Sequence, residues 1–191
     1  MELAQGILPT QNVALLMELI EGVRGRAEGL PGMGCFYGGY GVGKSRAVAA
    51  NAVACNAYYV QVQYLWTRNY LLEMILRQMN APKIEKTAPR MLTQIGQQLA
   101  KSGRPLIIDD AHVAIERNMG GVLYSLYEAS QGSVILVGEE NLPWLLEQIG
   151  RLHSRMLNWV EAQPTGLDDA RQFAGKYCAG IRVAEALLER I

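Results

Sequence analysis

The sequence predicts an α/β fold in which helices cover both faces of a parallel sheet in three layers, and three observations support this prediction. Short apolar runs of the length of buried strands alternate with longer segments of helical periodicity. A glycine-rich turn joins the first such run to an alanine-rich segment within residues 34–50. Two adjacent acids, Asp109 and Asp110, follow a later run. Strands that alternate with helices form parallel sheets, because each connection crosses a face of the sheet.

Composition limits the classes of function. The 191 residues are half apolar and 19% charged, which is typical of a globular domain, and the formal net charge is zero. A chain without net charge has no overall attraction to nucleic acid or to acidic membranes, so such binding requires a local patch. The three cysteines are odd in number and lack CxxC spacing, which disfavours disulfides and zinc. With no secretory signal in the first twelve residues, we expect the cytoplasm.

The first half of the chain shows three helical patterns and two strand patterns. Residues 13–26 place Val13, Leu16, Ile20 and Val23 on one helical face, with Thr10 as a candidate N-cap. The apolar run 35–37 is a strand, and the alanine-rich run 46–57 is a helix. A second strand at 58–62 precedes a helix at 65–79. The uncharged stretch 47–67 is long enough for a membrane span, but it holds four amide side chains, so we expect helix and strand and no membrane.

The second half continues the alternation and then changes character. After a loop at 80–88 we expect a helix at 91–100, a strand at 106–108, a helix at 122–129 and a strand at 133–137. From about Pro164 the pattern becomes two amphipathic helices, 168–177 and 182–191, joined at Gly180 without a strand. We therefore expect an α/β domain at 1–163 and, at 164–191, the start of a small helical lid that the end of the chain cuts short.

Residues 38–45, GGYGVGKS, match the P-loop pattern G-x-x-x-x-G-K-[ST]. Glycines let the backbone approach phosphate oxygens, Lys44 can reach the β- and γ-phosphates, and the Ser45 hydroxyl can bind Mg²⁺. The helix that follows offers its N-terminus to an anion. The residues expected to hold the nucleotide are Gly39, Gly41, Val42, Gly43, Lys44, Ser45 and Arg46.

The strand at 106–108 ends in Asp109 and Asp110, which is the Walker B pattern. A carboxylate at a strand end near a P-loop can hold Mg²⁺, and this role falls to Asp109. The next position is usually Glu, which polarises the attacking water. Asp110 is one methylene shorter, and a displacement of about an ångström is costly in catalysis, so we expect hydrolysis to be slow.

The strings GGYGVGKS, IIDDAH and VILVGEEN together resemble the AAA+ superfamily, and more narrowly the transposition ATPases of the MuB, TnsC and TniB group. The resemblance implies ATP and Mg²⁺ as ligands. It also implies further roles: a sensor 1 just past Val137, at Asn141 or Glu140; an arginine finger at Arg155, with Arg151 as the competitor; and a sensor 2 at Arg182. Thr10 and Asn12 would line the adenine pocket, and for His112 we favour a structural hydrogen bond over a catalytic role.

Residues 67–104 contain seven basic and two acidic side chains, a local concentration in a chain of zero net charge. In the resembled family the segment after the second strand faces DNA inside a ring or filament. Arg68, Lys83 and Lys86 are therefore the candidates for contact with the backbone of double-stranded DNA, without sequence readout. A solvated helix face and a charged loop are the alternative.

These features favour an ATPase that self-assembles on DNA as a ring or filament and directs a transposase to its target. A helicase loader or initiator ATPase shares every motif named above. A scaffold that binds nucleotide but barely hydrolyses it is a third reading, motivated by Asp110. A small-molecule kinase is disfavoured, because no segment for binding an acceptor is evident.

Overall fold

The computed structural model describes residues 8–178 and confirms the predicted fold class. Five parallel strands form one sheet in the order β2-β3-β4-β1-β5. The strands are β1 (Met33–Tyr37), β2 (Tyr58–Gln61), β3 (Leu106–Asp109), β4 (Val134–Gly138) and β5 (Met156–Glu161). The helices are α1 (Gln11–Arg24), α2 (Lys44–Ala54), α3 (Arg68–Gln78), α4 (Ala88–Ser102), α5 (Ala111–Glu116), α6 (Gly120–Ser130), α7 (Leu142–Glu147), α8 (Gly150–His153) and α9 (Leu167–Tyr177).

Successive strand residues point to opposite faces of the sheet, and this alternation divides the core into two clusters. Phe36, Ile107 and Ile135 pack with α1 and α2 on one face. Cys35 and Ile108 belong to the other face, which α3 to α8 cover. The fully buried side chains on both faces explain why the strands read as continuous apolar runs rather than as alternating ones.

On the second face, helices α4 and α6 approach closely because Gly96 lies at their crossing. A Cβ added to Gly96 would collide with the carbonyl group of Ala129 on α6. Gly96 is itself buried in α4, between the core residues Ile95 and Leu99. A glycine in mid-helix costs up to about 1 kcal/mol relative to alanine, so its position here reflects packing rather than helix propensity.

Strand β5 is an element that the sequence analysis did not identify. It lies at the sheet edge, parallel to β1, and its residues alternate irregularly between buried and exposed. Backbone bonds fix it at both ends: Met33 N donates to Arg155 O at 3.1 Å, and Ala162 N donates to Tyr37 O at 2.7 Å. The end of β5 thus lies directly beside the start of the P-loop.

The short helices α5, α7 and α8 were also not predicted, whereas the longer helices and the other four strands lie within a few residues of their expected positions. Of the two helices expected after Pro164, the first is present as α9. The second, with Gly180 and Arg182, lies outside the described residues. The proposed boundary at residues 163/164 stays a prediction.

Candidate nucleotide site

The P-loop follows β1 and leads directly into α2. Gly41 and Gly43 have φ values of 78° and 91°, in the left-handed region that favours glycine, and Gly43 is the N-cap of α2. No side chain caps this helix end. Lys44 and Ser45 form the first turn of α2, where the backbone amides of a helix have no intrahelical partner. The expected strand, loop and helix are therefore in place for an anion at a helix N-terminus.

The Lys44 ammonium folds back onto its own loop. Its Nζ donates to Gly38 O at 2.8 Å and to Gly39 O at 2.6 Å. Burial lowers the pKa of Lys44, and four surrounding carboxylates oppose that shift, with Glu139 having the largest effect. A cation that is partly desolvated and held by two carbonyls can exchange them for phosphate oxygens without a change in the fold.

The carboxylate of Asp109 is almost fully buried at the end of β3, where the residue is 2% exposed. Its Oδ2 accepts from the Tyr59 hydroxyl at 3.3 Å, and its Oδ1 accepts from Asp110 N at 2.9 Å. Burial is the main cause that raises the pKa of Asp109, and the neighbouring Asp110 charge adds to it. Burial likewise raises the pKa of Tyr59, and the Asp109 charge adds to that shift.

Asp110 adopts a left-handed backbone conformation, with φ 52° and ψ 39°, at the start of α5. Its Oδ2 accepts from Gln61 Nε2 at 2.9 Å. Gln61 is the last residue of β2, which lies on the side of β3 away from the P-loop strand. The second Walker B acid is therefore held toward the outer edge of the sheet.

Glu139, which the sequence analysis did not single out, follows β4 and lies beside these acids. Its Oε1 is 3.0 Å from His112 Nε2, and its backbone N donates to His112 Nδ1 at 3.4 Å. A ring that accepts at Nδ1 leaves Nε2 as the donor, so the ring accepts from the backbone of Glu139 and donates to its carboxylate. His112 therefore has the expected hydrogen-bonding role, and its partner is Glu139. The signal was present in the sequence, because Glu139 directly follows the Gly138 that ends β4.

One cavity of about 280 Å³ brings the predicted groups together. β4 lies between β1 and β3, so residues at the carboxyl ends of these three strands meet at one sheet edge. Residues from the P-loop, from β3 and from the end of β4 line the cavity: Tyr40, Gly41, Gly43, Lys44, Ser45, Arg46, Asp109, Asp110 and Glu139. Asn141 and Glu140 are exposed and are not among these lining residues. A sensor role for Asn141 stays a prediction.

Ser45 and Asp109 fit a magnesium ion bound together with phosphate. Both offer the oxygen ligands that Mg²⁺ prefers, both line the cavity, and the Asp109 carboxylate is buried, where a bound cation would offset its charge. Among residues 8–178, no cluster of three or more His, Cys, Asp or Glu residues could hold a metal ion. A magnesium ion here would complete its shell with phosphate oxygens and waters, as is usual for Mg²⁺.

Asn12 joins the P-loop to the segment after β5. Its Nδ2 donates to Val42 O and to Gln163 O, both at 2.7 Å, and its Oδ1 accepts from Gln163 N at 2.8 Å. Thr10 and Asn12 are buried, at 7% and 4% exposure. Asn12 therefore lies in the wall beside the loop, where the resemblance implies the adenine pocket, and Thr10 is the N-cap of α1.

Arg46 lines the cavity, and its guanidinium contacts α9. Its guanidinium lies 4.7 Å from the Phe173 ring centroid, and its Nη2 donates to the Tyr177 hydroxyl at 2.6 Å. A second link joins the same helix to α1, because the Asp169 carboxylate accepts from Gln11 N at 3.1 Å. The first helix of the expected lid is thus attached beside the P-loop.

Arg155 lies at the other end of the sheet. It immediately precedes β5, and its carbonyl accepts from Met33, the first residue of β1, whereas the P-loop follows the last residue of that strand. Five strand residues span roughly 16 Å. Its Nε contacts Glu128 Oε1 at 2.6 Å, and Arg151 and Arg155 both lie 5.8 Å from the Tyr124 ring centroid. Arg155 cannot reach the cavity of its own chain.

The three candidate DNA contacts lie at the two ends of α3. Arg68 begins this helix, and its Nη2 donates to Asn118 O at 3.0 Å, so part of its guanidinium is occupied. Lys83 and Lys86 follow the helix and are exposed. Both lysines belong to the loop between α3 and α4.

Comparison with known protein families identifies the family to which this chain belongs. A family model described as AAA domain matches residues 27–146, which contain β1 to β4, the P-loop and both Walker B acids. The chain belongs to the AAA domain family. An AAA domain is a P-loop NTPase, so the AAA+ part of the expectation is confirmed. The narrower resemblance to transposition ATPases stays a prediction. A comparison with curated protein sequences gave no match.

Solved structures share the fold of this AAA domain at low identity. ORC1 of Aeropyrum pernix, in complex with DNA, is 15% identical with a TM-score of 0.65, over 96% of this chain and 56% of that one. Cdc6p from Pyrobaculum aerophilum is 14% identical with a TM-score of 0.67, over 97% and 55%. The Walker-type ATPase paby2304 of Pyrococcus abyssi is 16% identical with a TM-score of 0.63, over 96% and 62%. The chain therefore spans well under two thirds of each of these proteins.

No helix within residues 8–178 of this AAA domain is long and apolar enough to cross a membrane. The uncharged stretch at 47–67 instead contains most of α2, then β2 and the start of the connection to α3.

Proposed function

We propose that the chain is an ATPase that binds Mg²⁺-ATP in the cavity at the carboxyl edge of the sheet and hydrolyses it. The observation that carries this proposal is the convergence of Lys44, Ser45 and Asp109 on one cavity from two separate elements. Lys44 would neutralise the β- and γ-phosphates, and Ser45 and Asp109 would hold the magnesium ion, which neutralises charge on the transferred phosphoryl group. Asn12 and Thr10 would form the wall toward the adenine.

We further propose that ATP joins copies of the chain. Arg155 lies at the sheet end opposite its own Lys44, so it can stabilise a γ-phosphate only in a neighbouring copy. Contacts that join one end of a protomer to the other end of the next are heterologous, and they build rings or open filaments. Arg182, which lies outside the described residues, would act on the same phosphate from the lid, as the sequence resemblance implies.

The assembled chains would bind double-stranded DNA through backbone contacts from Arg68, Lys83 and Lys86. Support comes from the exposure of both lysines and from the local excess of positive charge. The structure of ORC1 with DNA shows one protein of this fold on DNA. Salt-dependent binding without sequence preference is the expected behaviour.

For the partner we propose a transposase, on the resemblance of the P-loop, Walker B and β4 strings to transposition ATPases. An initiator or helicase-loader role is the second candidate, because two of the similar structures are ORC1 and Cdc6p. The chemistry of the site is the same in both. Co-purification with a transposase or with a hexameric helicase from the source cell separates the two.

The decisive experiment measures ATP binding by calorimetry and phosphate release, each with and without duplex DNA. Lys44→Ala should abolish ATP binding, whereas Lys101→Ala, at the exposed end of α4, should leave it unchanged.

Electron microscopy with DNA and a non-hydrolysable ATP analogue should show rings or filaments for the wild type and isolated chains for Arg155→Ala. Absence of any binding heat from ATP with Mg²⁺ would refute the proposal. Binding without turnover would favour the scaffold reading.

A further inference from the structure

Three carboxylates line the cavity, and they are not equivalent as acceptors for a proton from water. Asp109 is buried and is the ligand suited to magnesium, which leaves Asp110 and Glu139. The choice between these two rests on the proposed ATPase function and on the placement of each group relative to the P-loop.

Asp110 is poorly placed for this role. Its side chain is the shorter of the two, and Gln61 Nε2 holds its Oδ2 at 2.9 Å from the side of β2. The strand order puts β2 on the opposite side of β3 from the P-loop strand β1. The left-handed backbone at Asp110, with φ 52°, fixes the start of its side chain in this orientation.

Glu139 is better placed. It follows β4, the strand that separates β3 from β1, so it stands between the Walker B acids and the P-loop. Its side chain is 23% exposed, which gives it access to both the cavity and solvent. The P-loop tip lies near it as well, because the Glu139 carboxylate is the main cause that raises the pKa of the exposed Tyr40.

His112 holds Glu139 in this position by two contacts. The imidazole Nε2 lies 3.0 Å from Glu139 Oε1, and Nδ1 accepts from Glu139 N at 3.4 Å. His112 belongs to α5 and is buried against β4. Gly138 of β4 has no side chain, which leaves space for the ring. A buried ring that binds both the backbone and the carboxylate of one residue restricts the rotamers of that carboxylate.

We propose that Glu139 is the carboxylate that accepts the proton of the attacking water, and that His112 is its positioning residue. The water oxygen forms a bond to the γ-phosphorus while the bond from that phosphorus to the β–γ bridging oxygen breaks. The bridging electron pair leaves with ADP, and the water proton passes to Glu139 and then to solvent. The products are ADP, orthophosphate and one proton. Asp110 then serves to hold Gln61 and the start of α5.

The test compares Glu139→Gln with Asp110→Asn in the full chain. Glu139→Gln should bind a non-hydrolysable ATP analogue with Mg²⁺ within about threefold of the wild type, while kcat falls by about 10² to 10⁴, the usual contribution of a general base. Asp110→Asn should lower kcat by less than about tenfold. The reverse pattern overturns the assignment of Glu139 and leaves the ATPase function standing. A wild-type chain that binds ATP without hydrolysing it, with or without DNA, also overturns it. A wild-type chain that binds no ATP overturns the proposed function, and this assignment with it.

The positioning role of His112 is tested by measuring kcat and KM separately for two variants. His112→Gln keeps a donor near the position of Nε2 and should retain most of kcat, whereas His112→Leu should lower kcat by about tenfold or more at unchanged KM, because small misplacements of a reacting group are costly. Melting temperatures of both variants report the fold independently. If His112→Leu lowers the melting temperature but leaves kcat intact, the residue is structural and the positioning role is overturned.

Discussion

The side chain of Asn12 and the backbone of Gln163 exchange two hydrogen bonds, with Nδ2 donating to Gln163 O at 2.7 Å and Oδ1 accepting from Gln163 N at 2.8 Å. The same amide donates to Val42 O in the P-loop. One buried side chain of α1 therefore fixes the loop that would hold phosphate and the segment that connects β5 to α9. The geometry of the P-loop depends on residues that lie far from it in the sequence.

Asn12→Ala should weaken both the fold and nucleotide binding. The change leaves two carbonyls and one amide without their partner at a site that is 4% exposed, and each such loss costs about 1–3 kcal/mol. We expect a fall of about 2–4 kcal/mol in the free energy of unfolding, measured with urea, and weaker ATP binding in calorimetry. Asn69→Ala, an exposed site on α3, is the matched control. Equal stability of the two variants would contradict this role for Asn12.

Asp109→Asn should stabilise the nucleotide-free protein and abolish magnesium-dependent binding. Burial raises the pKa of Asp109 above its ordinary value. The folded state therefore holds this proton more tightly than the unfolded state does. Stability is lost as the pH rises from the unfolded pKa through the folded one, and the penalty is complete above the folded pKa. The amide carries no charge and avoids that penalty.

Thermal melts between pH 4 and pH 8, without nucleotide, measure this effect. The variant should melt higher than the wild type at pH 8, and the difference should shrink toward pH 4 as the wild-type carboxyl becomes protonated. Addition of Mg²⁺-ATP should reverse the order at neutral pH. At 100 times Kd, ligand binding adds about 2.7 kcal/mol to the wild type alone. A variant that is less stable than the wild type at pH 8 would contradict the prediction.

Gly96→Ala tests the close approach of α4 and α6. The new methyl group would collide with the Ala129 carbonyl group, and backbone cannot move away as a flexible side chain can. We expect a loss of about 1–3 kcal/mol, as is typical of overpacking. Gly121→Ala on α6 is the matched control, because no atom lies within 4 Å of its added Cβ. The control should be neutral or gain up to about 1 kcal/mol from helix propensity. A stabilised Gly96→Ala would show that the helices can separate without cost.

The double change Lys83→Ala and Lys86→Ala should weaken DNA binding and flatten its salt dependence. Both side chains are exposed, so their removal leaves the core intact. If each contacts one phosphate, the slope of log K against log salt should fall in magnitude by about 2. Arg68→Ala should also weaken binding, but this change additionally removes the hydrogen bond to Asn118 O. Fluorescence anisotropy with duplex DNA at several salt concentrations measures both, with Arg24→Ala, an exposed basic site on α1 outside residues 67–104, as the control. An unchanged slope would mean that these lysines are solvated and do not contact DNA.

The sequence predicted the parts of this protein that local chemistry determines. The P-loop glycines, Lys44, Ser45 and Asp109 belong to contiguous patterns whose spacing reflects the ligand, and the structure brings them to one cavity. The inner strands were identifiable because burial on both faces makes them continuous apolar runs. The fold class follows from the order of these elements.

The parts that the sequence did not reveal depend on contacts between distant segments. β5 lies at the sheet edge with Asn158 and Glu161 exposed, so it lacks the apolar run that marks its neighbours. Glu139 acquires its position only because β4 inserts between β1 and β3 and because His112, 27 residues earlier, binds it. No local pattern reports such a pairing. The same holds for the ion pair of Arg155 with Glu128, which comes from α6.

The pairing of β1 has a consequence for how the protein is made on the ribosome. Both neighbours of this strand come late in the chain: Met33 is opposite Val134 in β4 and Met156 in β5. A nascent chain that has emerged through α4 already carries the complete P-loop sequence but has no strand on which β1 can pair. The phosphate-binding loop can therefore assemble beside a neighbouring strand only after β4 has been made, and interruption before β4 would yield a polypeptide with every Walker residue and no strand on which β1 can pair.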